Sequence, residues 1–285
     1  MARRRLGQHF LSDAGWRERI ARTIRVSGLA AEPVSHEAKP FCWIEIGAGH
    51  GEITEHIART GAPVYAVELD PPLVARLGEL AARFPNLTVV PGDILKTDLA
   101  EIADGRRVKL YGNLPYYITS PILHRFFEHA ELIDEIHIVV QLEVAFRLVA
   151  RPGTRDYGYL SVLTQFYSRP TLALKLPPGA FRPPPEVGSA LVSMELPGAR
   201  KKLGLRDEAR FLDFVKHCFA QKRKTLVNNL HVLAEPESVR ESLAGLKMEA
   251  WARAEELSVA ELATLYRKLR LSGAGGTVPL PGEFQ

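Results

Sequence analysis

The stretch YGNLPYY, residues 111–117, places an amide, a proline and two aromatics directly after a run that reads as a buried strand. Pro115 stiffens the turn, and Asn113, Leu114 and Tyr116 offer polar acceptors beside a flat face. Such a strand end suits a flat, polar ligand. A second stretch, EIGAGHGEIT, carries Gly47, Gly49 and Gly51 where a strand turns into a helix. Without a Cβ the backbone there can approach a ligand closely. The dinucleotide fingerprint G-x-G-x-x-G needs a third glycine at position 52, which is Glu52. A cofactor without a pyrophosphate is therefore favoured. Glu68 ends the strand-like VYAVEL, where an acid commonly accepts hydrogen bonds from ribose hydroxyls. Asp93 in GDIL follows the next strand and can accept from an exocyclic amine. Each acid alone also reads as a helix cap or turn residue. Together, at successive strand ends, they point to an adenosine-containing cofactor.

The elements that must hold these residues follow from the hydrophobic pattern. FCWIEIG (41–47), VYAVEL (64–69), LTVV (87–90), VKLYG (108–112) and EIHIVVQ (135–141) read as strands, and amphipathic helical stretches lie between them. Strands alternating with helices imply an α/β fold, a mainly parallel sheet covered on both faces. TLALKLP (171–177) and SALVSMEL (189–196) add two strands, including a hairpin-like edge pair. After PGAR (197–200) only helical patterns follow. The expected organisation is residues 1–197 as a catalytic domain, 198–272 as a small all-helical domain, and 273–285, rich in Gly and Pro, as a disordered tail.

Composition sets outer limits. The chain is 46% hydrophobic and 25% charged, ordinary for a soluble globular protein. Its two cysteines, Cys42 and Cys218, build no disulfide framework, and no Cys/His cluster suggests a metal. No apolar run could span a membrane, and MARRRLGQHFL lacks the apolar core of a secretory signal. A cytoplasmic protein is expected, and a monomer. The net charge of +4 is unevenly spread. Residues 200–230 hold nine Lys/Arg against Asp207, Glu208 and Asp213, a local +6, and Arg3–Arg5 form a second basic cluster. A solvated helical face would account for one such run, but concentrated positive charge also suits a polyanion.

EIGAGHGEIT, VELD, GDIL and YGNLPYY, in this order and spacing, resemble the S-adenosylmethionine-dependent methyltransferases, and NLPY is similar to the signature of enzymes that methylate an exocyclic amino nitrogen. More closely, the chain resembles the ribosomal RNA adenine dimethyltransferase family. That resemblance also covers GQHFL (7–11), QLEVAFRLVARPGTRDYGYLSV (141–162), PPGAFRPPPEVGSA (177–190), QKRKTLVNNL (221–230) and RAEELS (253–258), from about residue 3 to about 270.

The resemblance implies a Rossmann-like class I methyltransferase sheet, S-adenosyl-L-methionine as cofactor, and dimethylation of two adjacent adenosines near the 3′ end of small-subunit ribosomal RNA in a partly assembled subunit. Asn113 and the Leu114 carbonyl would hold the target amine, Pro115 would stiffen the turn and Tyr116 would stack on the base. Phe181 would supply a second face, or else anchor the core. His9, Leu11, Gly47, Glu68, Asp93 and Asn113 would line the cofactor site. Two positions depart from the family pattern: His9 stands where the family has Asn, and Gly188 where it usually has Asp. Other readings are a related large-subunit methyltransferase, a non-catalytic assembly factor, and a nicotinamide dehydrogenase, the last disfavoured by Glu52.

Overall fold

A computed structural model describes residues 9–26, 40–115 and 118–269. Arg3–Arg5, the first two residues of GQHFL, Tyr116, Tyr117 and the tail lie outside the described residues. The chain divides into two compact units, Met1–Val149 with Thr164–Gly198, and Ala150–Leu163 with Ala199–Gln285.

The strands are β1 (Phe10–Leu11), β2 (Phe41–Ile46), β3 (Val64–Glu68), β4 (Leu87–Pro91), β5 (Arg107–Asn113), β6 (Ile133–Gln141), β7 (Arg169–Leu176), β8 (Phe181–Arg182) and β9 (Ser189–Glu195). Seven of them form one sheet in the order β4-β3-β2-β5-β6-β9-β7. The first five run parallel, and β9 inserts antiparallel between β6 and β7. The central strands are buried on both faces, and β6 is buried at nearly every position rather than at alternate ones, Glu135 and His137 included. The expected edge pair is β7 with β9, β7 forming the edge.

The chain leaves β2 for β3 and β4 on one side, then returns to place β5 and β6 on the other. β2 and β5 therefore flank the point where the strand order reverses, the place at whose carboxyl ends open α/β sheets bind ligands. The two strands meet closely there: a Cβ on Gly112 would lie 3.2 Å from the Ile46 carbonyl. β5 runs one residue further than its apolar pattern and delivers Asn113 as its last residue.

A second, two-stranded ribbon joins β1 to β8, with Phe10 opposite Arg182 and Leu11 opposite Phe181. Leu11 and Phe181 face inward and belong to the core cluster that also holds Ile20, Trp43, Tyr111 and Leu191. Two-residue strands have no period to read, so the sequence gives no sign of this ribbon.

In the helical unit, Glu208–Cys218 and Val259–Lys268 meet through an aromatic cluster. Tyr266 lies 5.7 Å from Phe211 and 5.5 Å from Phe214, centroid to centroid. Val215, Leu226, Leu243 and Leu262 complete a buried core.

At the end of the first unit, Gly198 donates to the Tyr167 carbonyl at 2.8 Å, and a Cβ there would overlap the Ser168 backbone and lie 2.5 Å from the Gln165 carbonyl. Rigid backbone cannot yield as a side-chain tip can. Gly198→Ala should therefore lower stability by about 1–3 kcal/mol or more, read as a fall in the denaturant midpoint against wild type.

Candidate active site

The glycine turn after β2 is held from the neighbouring strand. One carboxylate oxygen of the buried Glu68 accepts from the Gly49 amide at 2.9 Å. The other accepts from the amides of Leu69 and Asp70 at 2.9 and 3.0 Å. One side chain thus fixes the turns after β2 and β3. Three donors occupy a group with about four acceptor positions, which leaves room for one more. Gly47, at φ +62°, lies in the left-handed region, and a Cβ there would meet nothing within 4 Å. Its backbone faces open crevice.

Asp93 stands one strand further out. Its Oδ1 accepts from the Leu95 amide at 3.0 Å and shapes the turn, and its Oδ2 has no partner among the described residues.

On the other side of the switch point, Asn113 donates from Nδ2 to the His9 carbonyl at 2.9 Å. A carbonyl can only accept, so the amide's orientation is determined, and Oδ1 has no partner among the described residues. Leu114 is buried and donates its N–H to the Val139 carbonyl at 3.0 Å. Its own carbonyl has no partner among the described residues. Pro115 directs its carbonyl to Ile118 and Thr119, starting the helix Thr119–Glu128. Two acceptors, Asn113 Oδ1 and Leu114 O, are left side by side in sequence at one strand end.

His9 carries its ring away from this amide. Nδ1 donates to the Pro183 carbonyl at 2.7 Å, tying the residue before β1 to the loop after β8. Its backbone serves Asn113 and its side chain serves the Phe181 loop. Phe181 itself is 2% exposed and packs in the core. That placement is the one expected of a core anchor. The ring pairs with Leu11 across the ribbon, and burying both gains more than leaving either in water. Leu11 is likewise buried, its side chain in the same core cluster. Gly188 sits against the Leu176 carbonyl and Leu142, with its own carbonyl accepting from the Leu142 amide at 2.9 Å.

Two groups beneath the crevice escape a reading by motif. Glu45 is 3% exposed in β2, and burial pushes its carboxyl up to about 8. It is a neutral acid near pH 7, with Oε2 lacking a hydrogen-bond partner. Tyr111, also buried, has its hydroxyl raised well above the usual range by burial and by the nearby Glu45 and Glu52 carboxyls. The signal for Glu45 was an acid inside the otherwise apolar FCWIEI.

In the helical unit, the basic turn Lys222–Lys224 is exposed. It is fixed from behind by the buried Asn229, whose Nδ2 donates to the Cys218 and Gln221 carbonyls at 2.7 and 3.2 Å. Arg200 is drawn off by Glu208 at 2.6 Å.

A seven-stranded sheet with one antiparallel strand inserted before the edge, and a strand order that reverses between β2 and β5, is the fold of a class I methyltransferase. The structure of a dimethyladenosine transferase from Plasmodium falciparum matches it with a TM-score of 0.76 over 93% of this chain and 98% of that one, at 20% identity. That of the 23S rRNA methyltransferase ErmE matches with a TM-score of 0.67 over 92% of this chain and 99% of that one, at 26% identity. The chain belongs to the ribosomal RNA adenine dimethylase family, whose model matches residues 1–270. Curated relatives named Ribosomal RNA small subunit methyltransferase A include one from Acidobacterium capsulatum, 42% identical over 93% of this chain and 90% of that protein. Another, from Koribacter versatilis, is 38% identical over 93% and 94%.

Glu45 gives the fold a pH dependence. Between the ordinary carboxyl value of 4.5 and about 8 the folded state holds a proton that the unfolded state releases. Stability should therefore fall as pH rises through that window. Glu45→Gln removes the titration. Its stability relative to wild type should climb with pH, by at most about 1.4 kcal/mol per unit, in urea midpoints measured from pH 4.5 to 9. A difference that stays flat with pH would refute the assignment.

Proposed function

We propose that the crevice binds S-adenosyl-L-methionine, and that the chain transfers two methyl groups to N6 of each of two adjacent adenosines near the 3′ end of small-subunit ribosomal RNA. The observation that supports this reading is the Asn113 amide, turned by the His9 carbonyl so that Oδ1, like the Leu114 carbonyl, has no partner among the described residues.

The residues present fit the cofactor. Gly47 leaves its backbone open to the crevice, Glu68 retains one acceptor position for a ribose hydroxyl, and Asp93 Oδ2 is free for an exocyclic amine. His9 and Leu11 border the same site through their backbone. When bound, S-adenosylmethionine supplies an electrophilic methyl group on a sulfonium.

An aromatic amine is a poor nucleophile because its lone pair is delocalised into the ring. Asn113 Oδ1 and Leu114 O can accept its two protons, hold the nitrogen in line and favour withdrawal of the lone pair from conjugation. Positioning of this kind can lower a barrier by roughly 7–11 kcal/mol at its upper end. Tyr116 gives the base a stacking face, worth about 1–3 kcal/mol. The base reaches it unstacked or flipped out. No strong general base is needed, since the proton leaves an alkylated, cationic amine.

Residues 1–197 form the catalytic domain in this reading. Residues 198–272 grip RNA by shape and phosphates, the exposed Lys222–Lys224 turn among them. The substrate is a partly assembled small subunit in the cytoplasm, and the enzyme acts as a monomer. The small-subunit assignment is supported by relatives of that name at 38–42% identity, against 26% for ErmE. Among the described residues no helix is long and apolar enough to cross a membrane.

Incubating the protein and labelled S-adenosylmethionine with small subunits that lack this methylation should yield dimethyladenosine at adjacent positions, identified by mass spectrometry. Asn113→Ala should cut the rate at least about 100-fold while binding the subunit within about twofold of wild type. Full activity in that variant would sink the role given to the amide. Label entering only large-subunit RNA would sink the choice of subunit.

A further inference from the structure

We propose that an arginine-lined cleft on the outer face of the β1–β8 ribbon receives a phosphodiester of the RNA strand next to the target adenosine. This rests on the RNA-methylating reading above and adds a contact made by the catalytic unit itself.

Neighbouring residues of a strand point to opposite faces, and residues directly opposite across a ladder share one. Leu11 and Phe181 take the inner face of the ribbon and are buried. Phe10 and Arg182 therefore take the outer face, where they line a cleft of about 520 Å³ with Arg17, Arg59, Arg76 and His50. Phe10 packs edge-on against the His50 ring, centroids 4.3 Å apart, and closes the wall toward the glycine turn.

Four guanidinium groups and two carboxylates, Glu52 and Glu55, face this space. The carboxylates are already committed. Glu55 binds Arg59 at 2.6 Å and Arg83, from outside the cleft, at 3.3 Å. Glu52 accepts from the His50 amide at 3.2 Å and lies 3.3 Å from its ring. Arg17 gives Nη2 to the Ser12 carbonyl at 3.1 Å, and its buried Nε has no partner. Arg76 and Arg182 have no partner among the described residues, and both are exposed. Three cations thus converge on one cleft with no carboxylate assigned to them. Guanidinium forks with free N–H groups match a phosphate's oxygens.

The cleft's position names the phosphate. His9 O holds the Asn113 amide, and the next residue along, Phe10, forms the cleft wall. Likewise Pro183 O holds His9, and the residue before it, Arg182, points a guanidinium into the cleft. A base seated at Asn113 thus has its backbone beside these arginines. No part of S-adenosylmethionine carries a phosphate, so the RNA is the source.

The test uses the full-length protein with Arg76→Ala and Arg182→Ala combined, its folding checked by its melting temperature. Methyl transfer into unmethylated small subunits is followed from 50 to 300 mM KCl. The expected result is a KM for subunits raised about tenfold, with the loss falling on KM rather than kcat. The slope of log(kcat/KM) against log[salt] should become shallower by about 1–2, and S-adenosylmethionine affinity should hold. An unchanged KM and slope in the folded variant overturns the proposal alone. A melting temperature that inorganic phosphate raises in wild type but not in the variant, with the slope unchanged, overturns it in favour of a small-anion site. No transfer by wild type overturns the functional reading and this proposal with it.

Discussion

The hydrogen bond from Asn113 Nδ2 to the His9 carbonyl joins residues 104 positions apart and determines which end of one amide is free. A side-chain amide can present an oxygen or an NH2 group, and only the oxygen can accept an amine's proton. Because the His9 carbonyl cannot donate, it selects the oxygen. The β1–β8 ribbon holds that carbonyl in place, and the His9 ring ties it to the loop at Pro183. The site's polarity therefore depends on a segment of a few residues that forms no part of the main sheet.

The cofactor side rests on a comparable economy. Glu68 uses one carboxylate to order the turns after two strands, and in doing so gives up most of its acceptor capacity. A buried carboxylate is tolerable there because backbone amides satisfy it. Glu45, one strand away, has no such partners and is held neutral instead. Two equally buried glutamates thus differ in their surroundings: Glu68, at a strand end, collects backbone donors from two turns, and Glu45, within a strand, does not.

Much of the architecture could be read in advance. The seven main strands lie within a few residues of their apolar runs, because strands covered on both faces must be apolar along their length. The glycine turn was legible because a positive φ leaves few alternatives to glycine. The ribbon was not legible, since two residues carry no periodicity. Phe181 shows the same limit: an aromatic in a proline-rich loop can stack on a ligand or fill a core, and its type does not say which.

The sequence by itself determined the residue types at the strand ends, the alternation of strands and helices, and the concentration of charge in residues 200–230. Local chemistry and periodicity are written in neighbouring residues, so a linear reading reaches them. Only the tertiary structure decided that the Phe181 side chain packs in the core, that the Asn113 amide nitrogen is taken by the His9 carbonyl, and that Arg17, Arg76 and Arg182 share one cleft. Those facts depend on which distant segments meet, and burial, amide orientation and uncompensated charge are properties of that meeting rather than of any residue alone.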